Sequence, residues 1–127
     1  MSIIISSFAA LISLIALLHS FFSHRLTLEQ NVSSLIFTSK IALDSKLVNN
    51  SIDEIRTLKP LIEDYLNSLN YACSLYKGLK INRKRFRNLY KNDILNLHKY
   101  NSYSQVLKDN SDSFTYIFLV IGMLSKE

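Results

Sequence analysis

The feature of this sequence that most constrains its fold is an uninterrupted apolar run near its beginning. Residues 3–22 include no Asp, Glu, Lys or Arg, and twelve of these 20 residues are Ile, Leu or Phe. An α-helix rises 1.5 Å per residue, so the run would be about 30 Å long, which matches the hydrocarbon core of a bilayer. We predict a membrane anchor over residues 1–24, with apolar side chains that include Ile3, Leu11, Ile15, Leu18 and Phe22.

A cleaved signal peptide and a buried helix of a soluble protein are the two alternatives to an anchor. The two residues before the run carry no Lys or Arg, and no small-x-small cleavage motif follows Phe22, so a signal peptide is disfavoured. The Ile, Leu and Phe side chains together favour insertion by about 4 to 7 kcal/mol. An uncleaved anchor is therefore the prediction that we carry forward.

The distribution of positive charge predicts the orientation of the anchor. None of the 15 Lys and Arg residues precedes Arg25. The positive-inside rule then places residues 25–127 in the cytoplasm and the N-terminus outside, as in a single-pass membrane protein. The single cysteine, Cys73, agrees with a reducing compartment.

The rest of the chain is predicted to be all-α, as a small bundle of about four helices over residues 25–127. Two Gly and one Pro are too few for the turns of an all-β domain of this length. Thr27 with Gln30 fits a capping box that starts the first of these helices, although the helix could also continue directly from the anchor. A second capping box at Ser51 predicts a short helix that Pro60 ends or restarts.

Three further helices complete the predicted bundle. One covers residues 60–77 and ends at Gly78 in the left-handed conformation, and the next covers residues 83–100 behind an Asn82 cap. Leu89 and Tyr100 are predicted on the apolar side of that helix. The last helix ends at Leu124, and its apolar stretch 114–124 is too short to span a bilayer, so it either belongs to the core or lies against the membrane or the anchor.

Two apolar residues fall outside the predicted core face of the helix that follows the anchor. Phe37 and Ile41 are four positions apart, so they lie one turn apart on the same side of a helix. We predict a contact face there, occupied by the anchor, a second subunit or lipid.

One segment concentrates the positive charge of the chain. Residues 77–99 contain 8 basic and 1 acidic side chains, whereas the other parts of the chain are nearly neutral. Three interpretations are open: anionic lipid, nucleic acid, and an acidic protein partner or plain solvent. Phe86 and Tyr90 are interleaved with the basic residues, but a helical wheel puts both on the apolar side, which indicates a place in the core and disfavours stacking on bases. The basic surface predicted within the segment 77–91 comprises Lys80, Arg83, Lys84, Arg85, Arg87 and Lys91.

The sequence carries no recognisable catalytic or metal-binding pattern. The three histidines are scattered, no His, Cys or carboxylate group has zinc spacing, and there is no Gly-rich loop for a phosphate. Cys73 falls on the apolar face of its helix, which is typical of a small core residue. We expect a non-enzymatic protein with no cofactor, no metal and no small-molecule substrate.

Several short patterns follow one another in a familiar order. A membrane helix leads into Arg25-Leu26-Thr27-Leu28-Glu29, then come residues 66–71 with the pattern Leu-Asn-x-Leu-x-Tyr and residues 78–81 with Gly-Leu-x-Ile. In this order the chain resembles small single-pass membrane proteins of bacteria and phages that have a short cytoplasmic helical domain. The chain departs from the pattern at Leu26 and in the strongly basic residues 83–87.

The resemblance implies no catalytic residues, and it implies a role in phage defence or exclusion. The sequence as a whole predicts a membrane-anchored protein that acts through protein–protein contacts or self-association, with the lipid bilayer and a protein partner or second copy as its partners. The alternative is a membrane-tethered nucleic-acid binder that uses the basic segment 77–91.

Overall fold

The described residues of the computed structural model, 2–49 and 55–126, form an all-α protein, as predicted. Two 3₁₀ turns, Asn96–Lys99 and Ser111–Phe114, precede the last two helices. Five α-helices are present in these ranges: α1 Ser2–Asn49, α2 Ile55–Lys77, α3 Arg83–Leu95, α4 Asn101–Asp109 and α5 Thr115–Ser125.

Helix α1 joins the apolar run to the rest of the protein without a break. The Thr27 hydroxyl donates a hydrogen bond to the Ser23 carbonyl one turn earlier, at 2.9 Å, so this residue lies inside the helix. The predicted capping box is therefore wrong, and the alternative of a continuous helix is correct. The sequence permits this because α1 includes neither Gly nor Pro.

The second half of α1 packs on α2, which runs back beside it. Val32, Ile36 and Leu43 are buried on the side of α1 that faces the domain. Along the same contact, the Ser39 hydroxyl lies 3.5 Å from the Ser68 hydroxyl. Lys40 places its Nζ atom 5.3 Å from the centre of the Tyr65 ring.

Helix α2 continues through Pro60, so the predicted end or restart at this residue is wrong. A proline inside a helix removes one hydrogen bond, but packing on both sides can outweigh that loss. Leu58 and Ile62 flank Pro60 and are both buried in the core. The capping box predicted at Ser51 lies outside the described residues.

The turn after α2 closes differently from the prediction. Leu79, not Gly78, has the left-handed conformation, with φ of 59°. The Lys80 N–H donates to the Leu75 carbonyl at 2.9 Å, and the Leu79 N–H donates to the Tyr76 carbonyl at 3.2 Å. These two bonds form a Schellman motif, in which the residue directly after the C-cap has the left-handed conformation. Gly78 is the C-cap here, so Leu79 takes that conformation.

The helix predicted over residues 83–100 is interrupted. Asn82 caps α3 as predicted, because its side chain accepts a hydrogen bond from the Arg85 N–H at 3.0 Å. The helix ends at Leu95 and tightens into a 3₁₀ turn, which holds Leu97 in the core. Leu89 and Tyr100, both predicted on the apolar side, are instead exposed.

Helix α2 lies at the centre of the domain, between α1 and α5. The Asn70 side chain accepts from the Ile117 N–H at 3.1 Å and donates to the Ser113 carbonyl at 3.2 Å. Phe114, just before α5, borders the same crevice as Glu63 on α2. The order of these contacts shows that α5 runs in the same direction as α2. The apolar stretch 114–124 belongs to the core through the buried residues Phe114, Ile117, Val120 and Leu124.

Candidate functional site

The predicted anchor residues all lie on the first half of α1, and their side chains are uncovered. This is the one helix among the described residues that is long and apolar enough to cross a membrane, judged by its length and composition. None of its most apolar 18-residue window is buried against the domain. The exposed apolar side chains there include Ile3, Leu11, Ile15, Leu18 and Phe22.

The junction between the two halves of α1 is held by polar contacts to the turn between α2 and α3. The Arg25 Nη2 donates to the Ile81 carbonyl at 2.8 Å. One turn further along α1, a Glu29 Oε1 atom accepts from the Asn82 N–H at 2.6 Å. The second Glu29 oxygen lies 3.0 Å from the Arg85 Nη2, which makes an ion pair. We call these five residues the clasp.

The clasp was not predicted from sequence, although one signal for it exists. Glu29 is the only acidic residue between Arg25 and Asp44, and it stands on the first turns after the apolar run. Its partners are more than 50 residues away in sequence. The Glu29 carboxylate is mostly covered, with 18% of its side chain exposed, so the clasp fixes the turn against α1.

The basic segment does not form one uniform surface. Arg83 lies over the Tyr76 ring at 4.9 Å, and Arg85 is committed to Glu29 in the clasp. Arg87 and Lys91 are half-buried. Lys80 and Lys84 extend into solvent near the turn, as does the neighbouring Lys77. The predicted basic surface is thus divided between side chains that are partly covered by the protein or bound to it and the two exposed lysines, Lys80 and Lys84.

The two aromatic residues in the basic segment contact the protein itself. Phe86 is 2% exposed, and its ring stacks on Tyr76 with centroids 4.5 Å apart. The Tyr90 hydroxyl lies 2.7 Å from the Ser33 hydroxyl of α1. Nucleic-acid binding by this segment remains a prediction, and in this arrangement it would depend on charge and not on base stacking by Phe86.

A shallow, mainly apolar cleft of about 310 Å³ separates α1 from α3 beside the clasp. Val32 and Ser33 line it from α1, and Phe86 and Tyr90 line it from α3. Leu89 stands at the same cleft and is exposed, which explains why the apolar position predicted there is not part of the core.

The predicted contact face on α1 is uncovered. Phe37 is 66% exposed and Ile41 is 48% exposed, and neither lies on the side that packs on α2. Leu26 is exposed closer to the apolar half. On a helical wheel at 100° per residue, Leu26, Phe37 and Ile41 fall within about 60° of one another. We call these three residues the outer face of α1.

The groups with the greatest chemical reactivity are dispersed or buried. In the ranges 2–49 and 55–126 there is no cluster of three or more His, Cys, Asp or Glu side chains that could hold a metal ion. Cys73 is fully buried, and burial raises the pKa of its thiol to about 12, so the sulfur stays protonated at neutral pH.

No family model matches the chain, and neither the curated proteins nor the solved structures include a match to it.

Proposed function

We propose that this protein is a single-pass, membrane-anchored, non-enzymatic helical protein that acts by self-association at the membrane surface. The proposal places the first half of α1 across a bacterial inner membrane and residues 25–127 on its cytoplasmic side. The observation that carries it is the continuity of α1, in which a fully exposed apolar half leads directly into an exposed outer face on the domain.

The composition of the outer face supports a protein contact. Residues 30–39 of α1 contain no charged side chain, although much of this stretch is exposed. Interface cores are depleted in charge and enriched in aromatic residues, and Phe37 of the outer face lies within this stretch. Small hydroxyl residues such as Ser34 and Thr38 also allow two helices to approach closely.

The anchor favours a second copy as the occupant of this face. Two copies inserted in the same membrane with the same orientation have parallel α1 helices at the same height. Rotation by half a turn about an axis along the membrane normal then brings Phe37 and Ile41 of one copy opposite the same residues of the other. Such a symmetric contact uses one patch twice, as most homodimers do.

Cross-linking in membranes tests this proposal. Phe37→Cys and Gln105→Cys are compared in the full chain, because Gln105 is exposed on α4, outside the outer face. We expect oxidation to give a covalent dimer with Phe37→Cys and little with Gln105→Cys. The native Cys73 is buried, so it should contribute little to cross-linking in either variant.

A second variant separates a specific contact from random collision. Ile41→Glu in the Phe37→Cys chain places a charge in the proposed interface and should reduce cross-linking at least tenfold. Equal cross-linking of Phe37→Cys and Gln105→Cys, unaffected by Ile41→Glu, would show that the outer face does not bind a second copy.

Orientation and biological role have separate tests. A membrane-impermeant maleimide applied to intact cells should not label Gln105→Cys until the inner membrane is opened.

In line with the resemblance to phage-encoded proteins, we propose a defence or exclusion effector. Expression of the full chain should then change membrane potential or plaque formation on phage challenge, and Ile41→Glu should abolish the effect.

A further inference from the structure

The turn between α2 and α3 lies close to the end of the apolar half of α1. Arg25 binds the Ile81 carbonyl, and this arginine is only three residues beyond Phe22, the last residue of the apolar run. Three residues of helix cover about 4.5 Å along the axis. The headgroup layer on each side of a bilayer is about 5 to 8 Å thick. If the anchor crosses the membrane as proposed above, the clasp holds this turn at headgroup level.

The conformation of the turn exposes an apolar side chain at its tip. Leu79 has a φ of 59° and is 59% exposed. Glycine is the usual residue at this position of a Schellman motif, because a side chain in the left-handed region is strained. Leucine thus adds strain here while most of its side chain contacts nothing in the domain. A strained, exposed position of this kind is a reason to look for a function.

Three exposed lysines lie close to this tip in sequence. Lys77, Lys80 and Lys84 are exposed, and no acidic residue occurs between Lys77 and Asn92 in sequence. Glu29, the acidic residue that the structure places at this turn, is already bound to Arg85 and Asn82. Lysine side chains can reach phosphate groups while their apolar stems lie along the surface.

We propose that the turn between α2 and α3 is a lipid-binding tip, in which Leu79 enters the interfacial layer and Lys77, Lys80 and Lys84 bind anionic phospholipid headgroups. The tip resembles the apolar side chain and basic rim by which peripheral segments bind membranes. Each lysine near an anionic surface raises the equilibrium constant for membrane binding by about fivefold. The tip would fix the rotation of the domain about α1, so that the outer face is presented in one direction. The proposal rests on the anchoring of α1 but not on self-association.

Depth measurements on the full chain in vesicles test the proposal. An environment-sensitive fluorophore is attached at Leu79→Cys, with Lys80→Cys as the second site if the first variant does not fold, and at Gln105→Cys as the control. Gln105 lies on α4, which packs on Tyr65 through Tyr103, about 20 Å further along α1 than Arg25. The vesicles contain either neutral phosphatidylcholine or a mixture with phosphatidylglycerol, with spin-labelled lipids as quenchers.

We expect the label at Leu79 to have a blue-shifted emission. Shallow spin labels should quench it at least fivefold more than they quench the label at Gln105, and this difference should be larger in the anionic vesicles than in the neutral ones. A triple Lys77→Gln/Lys80→Gln/Lys84→Gln change should remove most of this difference when the label is at Leu79. The matched triple change Lys46→Gln/Lys99→Gln/Lys108→Gln removes the same charge elsewhere and should leave it unaltered.

A further variant separates lipid binding from a merely structural role. Leu79→Gly relieves the left-handed strain and should raise the unfolding midpoint. It should also lower the quenching of a label at Lys80→Cys, because the inserted side chain is gone. A loss of quenching together with a gain of stability cannot come from damage to the fold.

The outcomes distinguish this proposal from the anchoring on which it rests. A label at Leu14→Cys that is deeply quenched, with Leu79 as accessible to water as Gln105, would overturn the lipid-binding tip alone. A Leu14 label that is not quenched would overturn the anchor itself. Binding of a nucleic-acid duplex that depends on the three lysines, with no immersion of Leu79, would assign them to nucleic acid and also overturn the proposal.

Discussion

The two halves of α1 share one continuous helical backbone but differ in how their apolar residues are arranged. In the first half, apolar side chains surround the axis and all are exposed. In the second half, Val32, Ile36 and Leu43 lie on one side and are buried against the domain. An apolar surface all round a helix needs apolar surroundings on every side, either lipid or protein, whereas a one-sided stripe needs only one packed neighbour. The comparison shows that the pattern of side chains, and not the helix itself, determines which environment each half requires.

The largest expected effect comes from placing charge in the first half. Leu11→Arg combined with Ile15→Arg should cost about 5 to 7 kcal/mol of insertion free energy, which is similar to the whole favourable contribution of the apolar residues. We expect the chain to move from the membrane pellet to the soluble or aggregated fraction after alkaline extraction. Ser34→Arg combined with Thr38→Arg adds the same charge to exposed positions of the second half and should leave the chain in the membrane.

Truncating leucines should have a smaller effect, and here the first half of α1 should be the insensitive part. Leu69 is fully buried on α2, so Leu69→Ala should lower the free energy of unfolding of the domain by about 2 to 5 kcal/mol. Leu14→Ala, in the exposed half of α1, should change it by less than about 0.5 kcal/mol. Urea unfolding of the full chain in detergent micelles, followed by tyrosine circular dichroism, measures both. Equal destabilisation by the two changes would contradict the division of α1 into two halves.

The smallest of the three effects concerns the clasp, where the two halves meet. Glu29→Ala removes the acceptor of the Asn82 N–H and the partner of Arg85, so it should cost about 1 to 3 kcal/mol of unfolding free energy. Glu29→Gln keeps an acceptor oxygen and loses only the partly exposed ion pair, so it should cost about 1 kcal/mol or less. The same urea titration distinguishes them, and Asp93→Ala, at an exposed position on α3, is the control.

Local patterns predicted those parts of the fold that local physics determines. The helical class followed from the scarcity of Gly and Pro, the start of α3 from the capping chemistry of Asn82, and the burial of Cys73 from its place on an apolar face. Each of these inferences needs only residues within a turn or two of one another. The continuity of α1 was one of two alternatives, because a capping sequence also occurs inside helices.

The parts that were wrong depend on packing or turn geometry that local propensity does not determine. Pro60 remains inside α2 because Leu58 and Ile62 are both held in the core. Leu79 takes the left-handed position next to a glycine that propensity would have chosen. The candidate site was predicted as a count of charges, but Arg85 is bound to the protein through Glu29, which is more than 50 residues away in sequence.

The absence of Gly and Pro from α1 also has a mechanical consequence. A helix without a hinge acts as a lever arm, so any tilt of its apolar half is transmitted to the domain. Ile41 lies about 28 Å beyond Phe22 along the axis, and an additional tilt of about 20° would displace it sideways by about 10 Å. In the membrane-anchored dimer that we propose, a thinner bilayer would require the apolar run to tilt further, and this tilt would change the spacing of the two domains without any change in their internal structure.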